Sequence, residues 1–537
     1  MRGPGLRARR NHRHLSSLEI ARRSTRGSFA LFAGNLLNTA VSFVAIIIIA
    51  RLLGPSDYGV YSLAVLIPGI LLNLLGFGVN SGITRYAAYH LSQQEPDLAK
   101  RMTINGVVFI LLFGAVLTCV SYASSGVLSD FVLHRPEITS LVQFASLLIL
   151  AQAVFQAGVS ALLGWSYMGK ISVTNVFQSI LRLAVAVPLV VLGFAVFGAL
   201  VGYVVSVSLA GVLSLVLLLH STGSASASPL EGFTSDVRMM LSYGRTVFVG
   251  QFAASISAQY VVVILAMIAS NSFVGFYQSA SNFVTAITLT SGAMPKALFP
   301  AFAHLEGTKG DLSRAFAYAT KYMAFVLTPI IFLLMGASIQ IISVPLGPSY
   351  SVASGYLVLL SFANISLLFG LGVLPSFFNG VGRPRFYMIF SVAGAGVQLA
   401  LAPLLAIGLG LGVPGLIYSI LVSNMVAVAI GLYLASRYFQ ARMDLQAALS
   451  ILVSSILAFL AVLPLEMSGF NEVFVLVLEI AAFSAAYLTA APLLRAIGPG
   501  DIETLGSALA GLGRFKSLVL PILAYERFIM HHSGHGV

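Results

Sequence analysis

Arg182 stands alone among hydrocarbon in SILRLAVAVPLV. An ionised side chain deep in a bilayer costs roughly 2.5–3.5 kcal/mol on insertion scales, so it faces a cavity or a partner, or its guanidinium snorkels to a headgroup region. Two polar stripes accompany it. Asn35, Asn38 and Ser42 are spaced i, i+3 and i+7, and Gln251, Ser255 and Gln259 are spaced i, i+4 and i+8. Each set occupies one face of a helix. Gln278, Asn282 and Thr285 form a third set, while Arg51 and Arg85 end apolar runs. These residue types make no nucleophile–base pair and no metal-ligand cluster. Amides, hydroxyls and a guanidinium offer non-covalent chemistry: hydrogen bonds for a polar solute and positive charge for an anion. Without either, a dehydrated anion would cost several kcal/mol or more. The competing reading is structural, with Ser, Thr and Asn as interhelical glue worth about 0.6 kcal/mol each and terminal arginines as interfacial anchors.

The elements that carry these residues follow from composition. Of 537 residues, 58% are hydrophobic and only 9% charged, with a mean hydropathy of +0.96. Too few charges exist to cover a soluble surface of this size. Apolar runs of roughly 20 residues, the length of a bilayer-spanning helix, recur almost from end to end, without the alternation of an outer-membrane barrel. The expectation is an all-α polytopic membrane protein of about 14 transmembrane helices. Spans are predicted near 28–50, 59–79, 104–122, 141–163, 173–192, 198–220, 246–268, 275–294, 322–343, 352–375, 386–406, 412–434, 446–464 and 472–494. No cleavable signal is expected, because the basic start leads into a span too long for one. The single cysteine, Cys119, leaves no internal disulfide and no cysteine metal site. HHSGH at 531–535 is the only metal-like cluster, at the end of the chain, and no metal or other cofactor is expected.

Charge placement gives orientation. Of the 29 Lys and Arg, all but Arg51, Arg135 and Arg182 fall before the first span, in even-numbered loops or in the C-terminal tail. The positive-inside rule puts both termini in the cytoplasm. The formal charge of +12, spread over such loops, needs no nucleic acid and suits anionic membrane lipids. Arg245, Lys296 and Lys321 line predicted cytoplasmic ends. Glu479 is the one acid deep in a span and is expected to pack or to pair with another subunit.

One turn occurs twice. In ARLLGPSDYGVYSLA (50–64) and AMIASNSFVGFYQSA (266–280), Ala50, Gly59, Tyr61 and Ala64 reappear as Ala266, Gly275, Tyr277 and Ala280, at one offset (275 − 59 = 216). Asn35 meets Gln251 and Thr39 meets Ser255 at the same offset. Tyr61 and Tyr277 fall where aromatic belts form. Six helices separate the copies, so both halves cross the membrane in the same direction, as in transporters that rock two bundles about a central site. The expected organisation is a basic arm (1–27), a six-helix bundle (28–220), a cytoplasmic linker (221–245) and a second bundle (246–440). Two extra helices (441–495) and a cytoplasmic tail (496–537) follow. The two bundles are parallel repeats about a pseudo-twofold axis along the membrane normal.

ARLLGPSDYGVYSLA, GFGVNSGITRY (76–86), GFYQSASNF (275–283), LFPAFAHL (298–305), PLGPSY (345–350) and NGVGRPR (379–385) together resemble the polysaccharide transporters. These are lipid-linked oligosaccharide flippases of the multidrug/oligosaccharidyl-lipid/polysaccharide exporter superfamily. The resemblance spans about 25–495. It implies flipping or export of an isoprenoid-diphosphate-linked oligosaccharide across the cytoplasmic membrane by alternating access. The implied partners are that lipid-linked glycan, membrane lipids and glycan assembly enzymes. Many relatives carry an aspartate in helix 7, where this chain has AQYVVVIL (258–265), so a mechanism built on that acid does not transfer. On this reading Arg182, Asn35, Asn38, Ser42, Gln251, Ser255, Gln259, Gln278, Asn282 and Arg85 are cavity candidates. A cation-coupled multidrug exporter is the alternative, although helices 1–12 show no carboxylate for ion exchange. A membrane glycan ligase would have to rely on Asp130, His134, Arg135 and Glu137 in the longest outer loop.

Overall fold

The computed structural model describes residues 17–222, 230–285, 287, 309–467, 470–498, 500–501 and 525. Helices follow one another throughout, with no strand among the described residues. They are α1 (Ser17–Leu72), α2 (Val79–Ser92), α3 (Pro96–Val127), α4 (Thr139–Ala145), α5 (Leu147–Gly164), α6 (Met168–Leu189), α7 (Ala195–Thr222) and α8 (Phe233–Ile268). Residues 271–285 form α9. Then come α10 (Lys309–Gly336), α11 (Ser338–Leu346), α12 (Ser351–Ala363), α13 (Leu374–Gly380) and α14 (Pro384–Pro403). The last are α15 (Gly412–Phe439), α16 (Leu445–Val462) and α17 (Glu472–Leu493).

Ten helical stretches among the described residues are long and apolar enough to cross a bilayer. Two of them are interrupted by glycines in the left-handed region, Gly54 (φ 73°) within α1 and Gly193 (φ 93°) between α6 and α7. L side chains rarely adopt such angles, and glycine does so without steric cost. The chain is thus a multi-pass helical membrane protein.

The described residues fall into two compact units. The first draws on residues up to 46, on 74–123 and on 143–248; the second draws on 47–73, 124–142 and residues from 249 onward. In the first unit small residues let helices approach closely, the usual solution where lipid removes the hydrophobic drive between helices. Cβ atoms added at Gly202 and Gly158 would overlap Ala186 and Ser214, which fixes α7 against α6 and α5. Asn80 Nδ2 donates to Gln156 Oε1 (3.2 Å) and Thr84 Oγ1 to the Ser160 carbonyl (3.1 Å), holding α2 on α5. The segment read as a linker is tied down in its described part. Buried Asp236 accepts from Asn105 Nδ2 at 2.8 Å and pairs with Arg101 at 3.3 Å, while Leu230 N donates to Asn105 Oδ1.

In the second unit the two copies of the repeated turn pack on each other. A Cβ on Gly59 would overlap the carbonyl oxygen of Asn271, and a Cβ on Gly275 would overlap that of Pro55. The contact is reciprocal: each glycine meets the carbonyl four residues before the other. All eight residues that recur between the copies are buried. Tyr61 and Tyr277, expected in an aromatic belt, are only 7% and 5% exposed; the packed turns place them in protein rather than at a headgroup boundary. The first recurring alanine of each copy also has its carbonyl capped. Tyr350 Oη donates to the Ala50 carbonyl at 2.6 Å, and an Arg135 Nη donates to the Ala266 carbonyl at 2.6 Å.

Gly59→Ala should therefore lower stability by about 1–3 kcal/mol, the usual range for overpacking. Gly355→Ala adds its methyl to open space within a helix and should leave stability unchanged or raised. Melting of the two variants in detergent checks this, and equal midpoints would mean that the turns do not pack as described.

Candidate functional site

A polar space lies within the second unit. It is a cavity of about 520 Å³ between α8, α9, α12, α14 and α15, within the size range of small-molecule sites. Its polar lining includes Gln259 on α8, Gln278 on α9, Asn364 at the end of α12, Gln398 on α14, and Ser423 and Asn424 on α15. Val261, Leu360, Phe390 and Ile420 supply apolar walls. Among the lining residues Tyr277 is the only ionisable one, so the space carries no formal charge.

The amides are held by backbone carbonyls and, at Gln398, by a serine hydroxyl. Asn364 Nδ2 donates to the Leu360 carbonyl at 2.9 Å, one turn back in α12. Gln398 Nε2 approaches the Ser257 carbonyl at 3.5 Å, and Ser423 Oγ lies 3.5 Å from Gln398 Oε1. Asn424 Nδ2 reaches the Ala363 carbonyl at the same distance. Bonds this long are weak, so a solute bearing hydroxyls can replace them at little cost. Neutral donors and acceptors on an apolar frame suit a neutral, hydroxyl-rich ligand better than a bare anion.

Two residues singled out from the sequence, Gln259 and Gln278, meet in this cavity. Ser255 lies on α8 outside its lining, and the side chain of Gln251 is outside the described residues. Asn282 is engaged elsewhere, donating to Tyr58 Oη at 2.7 Å. Asn364, Gln398 and Asn424 went unread, although Gln398 and Asn424 are each the only amide side chain in their helix. A lone amide in an apolar span is a signal that the i, i+4 search for stripes passes over.

The other candidates belong to the first unit. Asn35 Oδ1 accepts from Asn175 Nδ2 of α6 at 3.1 Å. Arg182 follows Asn175 by seven residues and Ser42 follows Asn35 by seven, so each stays on its helix's polar face. Because α6 begins at Met168, Arg182 sits about 21 Å along it at 1.5 Å per residue. The guanidinium carbon lies 4.2 Å over the Tyr203 ring, a cation–π contact that offers a half-buried charge an aromatic face. Asn38 is half-buried, and its Oδ1 finds no hydrogen-bond partner among the described residues. Arg85 is exposed and stacks 4.1 Å over Tyr243. Arg51 donates to the Pro345 carbonyl at 3.3 Å within the second unit.

Of the three basic residues predicted at cytoplasmic ends, Lys321 is already matched. It pairs with Asp501 at 2.5 Å, with Tyr322 Oη on the other carboxylate oxygen. Lys296 and the side chain of Arg245 lie outside the described residues. Arg135, proposed for a ligase loop, commits its guanidinium to Asn271 Oδ1 and to the carbonyls of Leu133, Ala266 and Ala269. A guanidinium so occupied is a structural tie.

Residues 24–306, more than half of the chain, match the family described as polysaccharide biosynthesis protein. The chain belongs to this family. Among curated relatives of this polysaccharide biosynthesis protein is the succinoglycan biosynthesis transport protein ExoT of Rhizobium meliloti, 24% identical over 345 residues. That match covers 64% of this chain and 66% of ExoT, just under two thirds of its length. The probable low-salt glycan biosynthesis flippase Agl15 of Haloferax volcanii is 22% identical over 343 residues, 63% of this chain and 68% of that one. Two solved structures share the fold. The lipid II flippase MurJ in an inward closed conformation superposes with a TM-score of 0.69 at 14% identity, covering 86% of this chain and 98% of MurJ. An inward-facing multidrug resistance MATE family transporter of the MOP superfamily gives 0.65 at 18% identity, covering 75% and 94%.

Tyr203→Leu removes the ring beneath Arg182 and should cost about 0.5–2 kcal/mol of stability, whereas Tyr203→Phe keeps the stack and should melt near wild type. Thermal melting of the pair decides whether the ring holds the cation.

Proposed function

We propose that this protein is a flippase for an isoprenoid-diphosphate-linked oligosaccharide in the cytoplasmic membrane, working by alternating access. The observation that carries the proposal is the uncharged amide-lined cavity inside a multi-pass helix bundle. The named functions of ExoT and Agl15, glycan transport and glycan flipping, point the same way. Sugars present hydroxyls, which Gln259, Gln278, Asn364, Gln398 and Asn424 can pair with as both donor and acceptor. The diphosphate needs positive charge, and Arg182, on a polar face with Asn175, is the group in the first unit suited to it. The glycan and its phosphates thus meet different chemistry in different parts of the chain, while the hydrocarbon tail remains in lipid.

The chain is proposed to cross the membrane fourteen times with both termini in the cytoplasm, in keeping with its basic loops. It is built on two parallel six-helix repeats, 28–220 and 246–440. The reciprocal packing of Gly59 and Gly275, 216 residues apart, supports that duplication. Equivalent residues meet equivalent residues, as an isologous contact requires.

The test is flipping of a fluorescent isoprenoid-diphosphate oligosaccharide in liposomes. Wild type should flip it. The pair Gln398→Leu with Asn424→Leu should slow it by about tenfold or more, the loss expected when two hydrogen bonds of roughly 0.5–1.5 kcal/mol each disappear. Arg182→Ala should slow it further than Arg182→Lys. Transport of cationic dyes with no flipping of the glycan lipid would reassign the substrate class.

A further inference from the structure

Glu479 lies about two turns into α17, and its residue is 0% exposed. It therefore presents nothing to a neighbouring subunit; of packing and subunit pairing, the two expectations from sequence, burial agrees with packing. Neither carboxylate oxygen has a hydrogen-bond partner among the described residues. The elements packed against α17 are α10, α11, α16 and the turn at 463–467. Neither α11 nor α16 carries a titratable side chain. The titratable side chains of α10 all fall between Lys309 and Tyr322. Tyr487, two turns beyond Glu479, already donates to the Phe325 carbonyl of α10, which places those groups towards the far end of α17. Among them, Asp311 is paired with Arg314 and Lys321 with Asp501. The turn supplies only Glu466, a like charge.

No cation in these elements compensates Glu479. A buried carboxylate without a partner carries a desolvation penalty of several kcal/mol, and the neutral acid avoids most of it. No cluster of three or more His, Cys, Asp or Glu occurs among the described residues, so Glu479 has no further acids with which to share a multivalent cation. The simplest ligand that cancels its charge is the proton. Gln340 Oε1 on α11 and Thr328 Oγ1 on α10 are also buried oxygens without partners, so the helices packed on α17 are not purely hydrocarbon.

We propose that Glu479 is a proton-binding site in α17, through which a transmembrane pH gradient drives the transport proposed above. The driving role rests on that flippase reading; the binding of the proton does not. For one proton per cycle, a one-unit pH gradient can sustain about a tenfold concentration ratio of substrate.

Two measurements keep the parts separate. The first is covalent labelling by dicyclohexylcarbodiimide, which attacks protonated carboxyls in apolar surroundings. Read by mass spectrometry at neutral pH, wild type and Glu479→Asp should be labelled at position 479, and Glu479→Gln should not. Absence of label at Glu479, or protection of it by Na⁺ but not by raised pH, overturns the proton site. The second is glycan-lipid accumulation in liposomes with and without a pH gradient. Wild type should accumulate up to about tenfold per pH unit, and Glu479→Gln, an isosteric neutral mimic, should fall to a ratio of about one while still flipping. Equal gradient dependence in both overturns the driving role. If wild type flips no glycan lipid, the flippase reading fails, and labelling still decides whether Glu479 holds a proton.

Discussion

Two helices, α1 and α9, approach so closely that neither glycine at the crossing has room for a side chain. Gly59 abuts the carbonyl of Asn271 and Gly275 that of Pro55, all within the second unit. Tyr350 caps the Ala50 carbonyl, Arg135 caps the carbonyls of Ala266 and Ala269, and Asn282 holds the Tyr58 hydroxyl. Apart from the side-chain bond between Asn282 and Tyr58, these are neutral or charge-assisted bonds to backbone, each worth only a few kcal/mol at most. They act on groups that would otherwise be left unsatisfied where water is scarce.

Two polar regions differ in charge. The cavity of the second unit is lined by amides and hydroxyls without formal charge, and the first unit holds Arg182 on Tyr203 and, on the same helix, an Asn35–Asn175 pair. A lipid-linked glycan presents the same division, with sugars that ask for hydrogen bonds and phosphates that ask for positive charge. Two other cations are already matched by carboxylates: Arg101 by Asp236 and Lys321 by Asp501. Arg135 is taken up by backbone oxygens. The charge of +12 is therefore a poor guide to where a ligand binds.

Much of the architecture was legible before any coordinates. Apolar runs of bilayer length need only counting, and a bilayer admits helices or closed barrels alone. The recurrence of Gly59 and Gly275 was also readable, because a contact that excludes Cβ leaves a residue type behind. Gln259 and Gln278 were found through helical periodicity. Gln398, Asn424 and Asn364 were not, since each stands alone in its span and gains a role only when α12, α14 and α15 bring them together. The fate of Arg135 and Lys321 was hidden for the same reason: their partners lie more than a hundred residues away, and charge patterning reports a side of the membrane without a contact. Glu479 was noticed, with packing and subunit pairing both left open, because a sequence shows that an acid lies in a span and not whether it faces lipid or protein.

The most direct test of the central claim joins the two turns covalently. In a Cys119→Ser background, Pro55→Cys and Asn271→Cys would be bridged with a short, reducible thiol cross-linker, and flipping of the glycan lipid measured before and after reduction. If transport requires the seam around Gly59 and Gly275 to part, the bridged protein is arrested and reduction restores its rate. A bridged protein that flips as fast as the reduced one would show that the seam stays closed throughout transport, and would contradict the account.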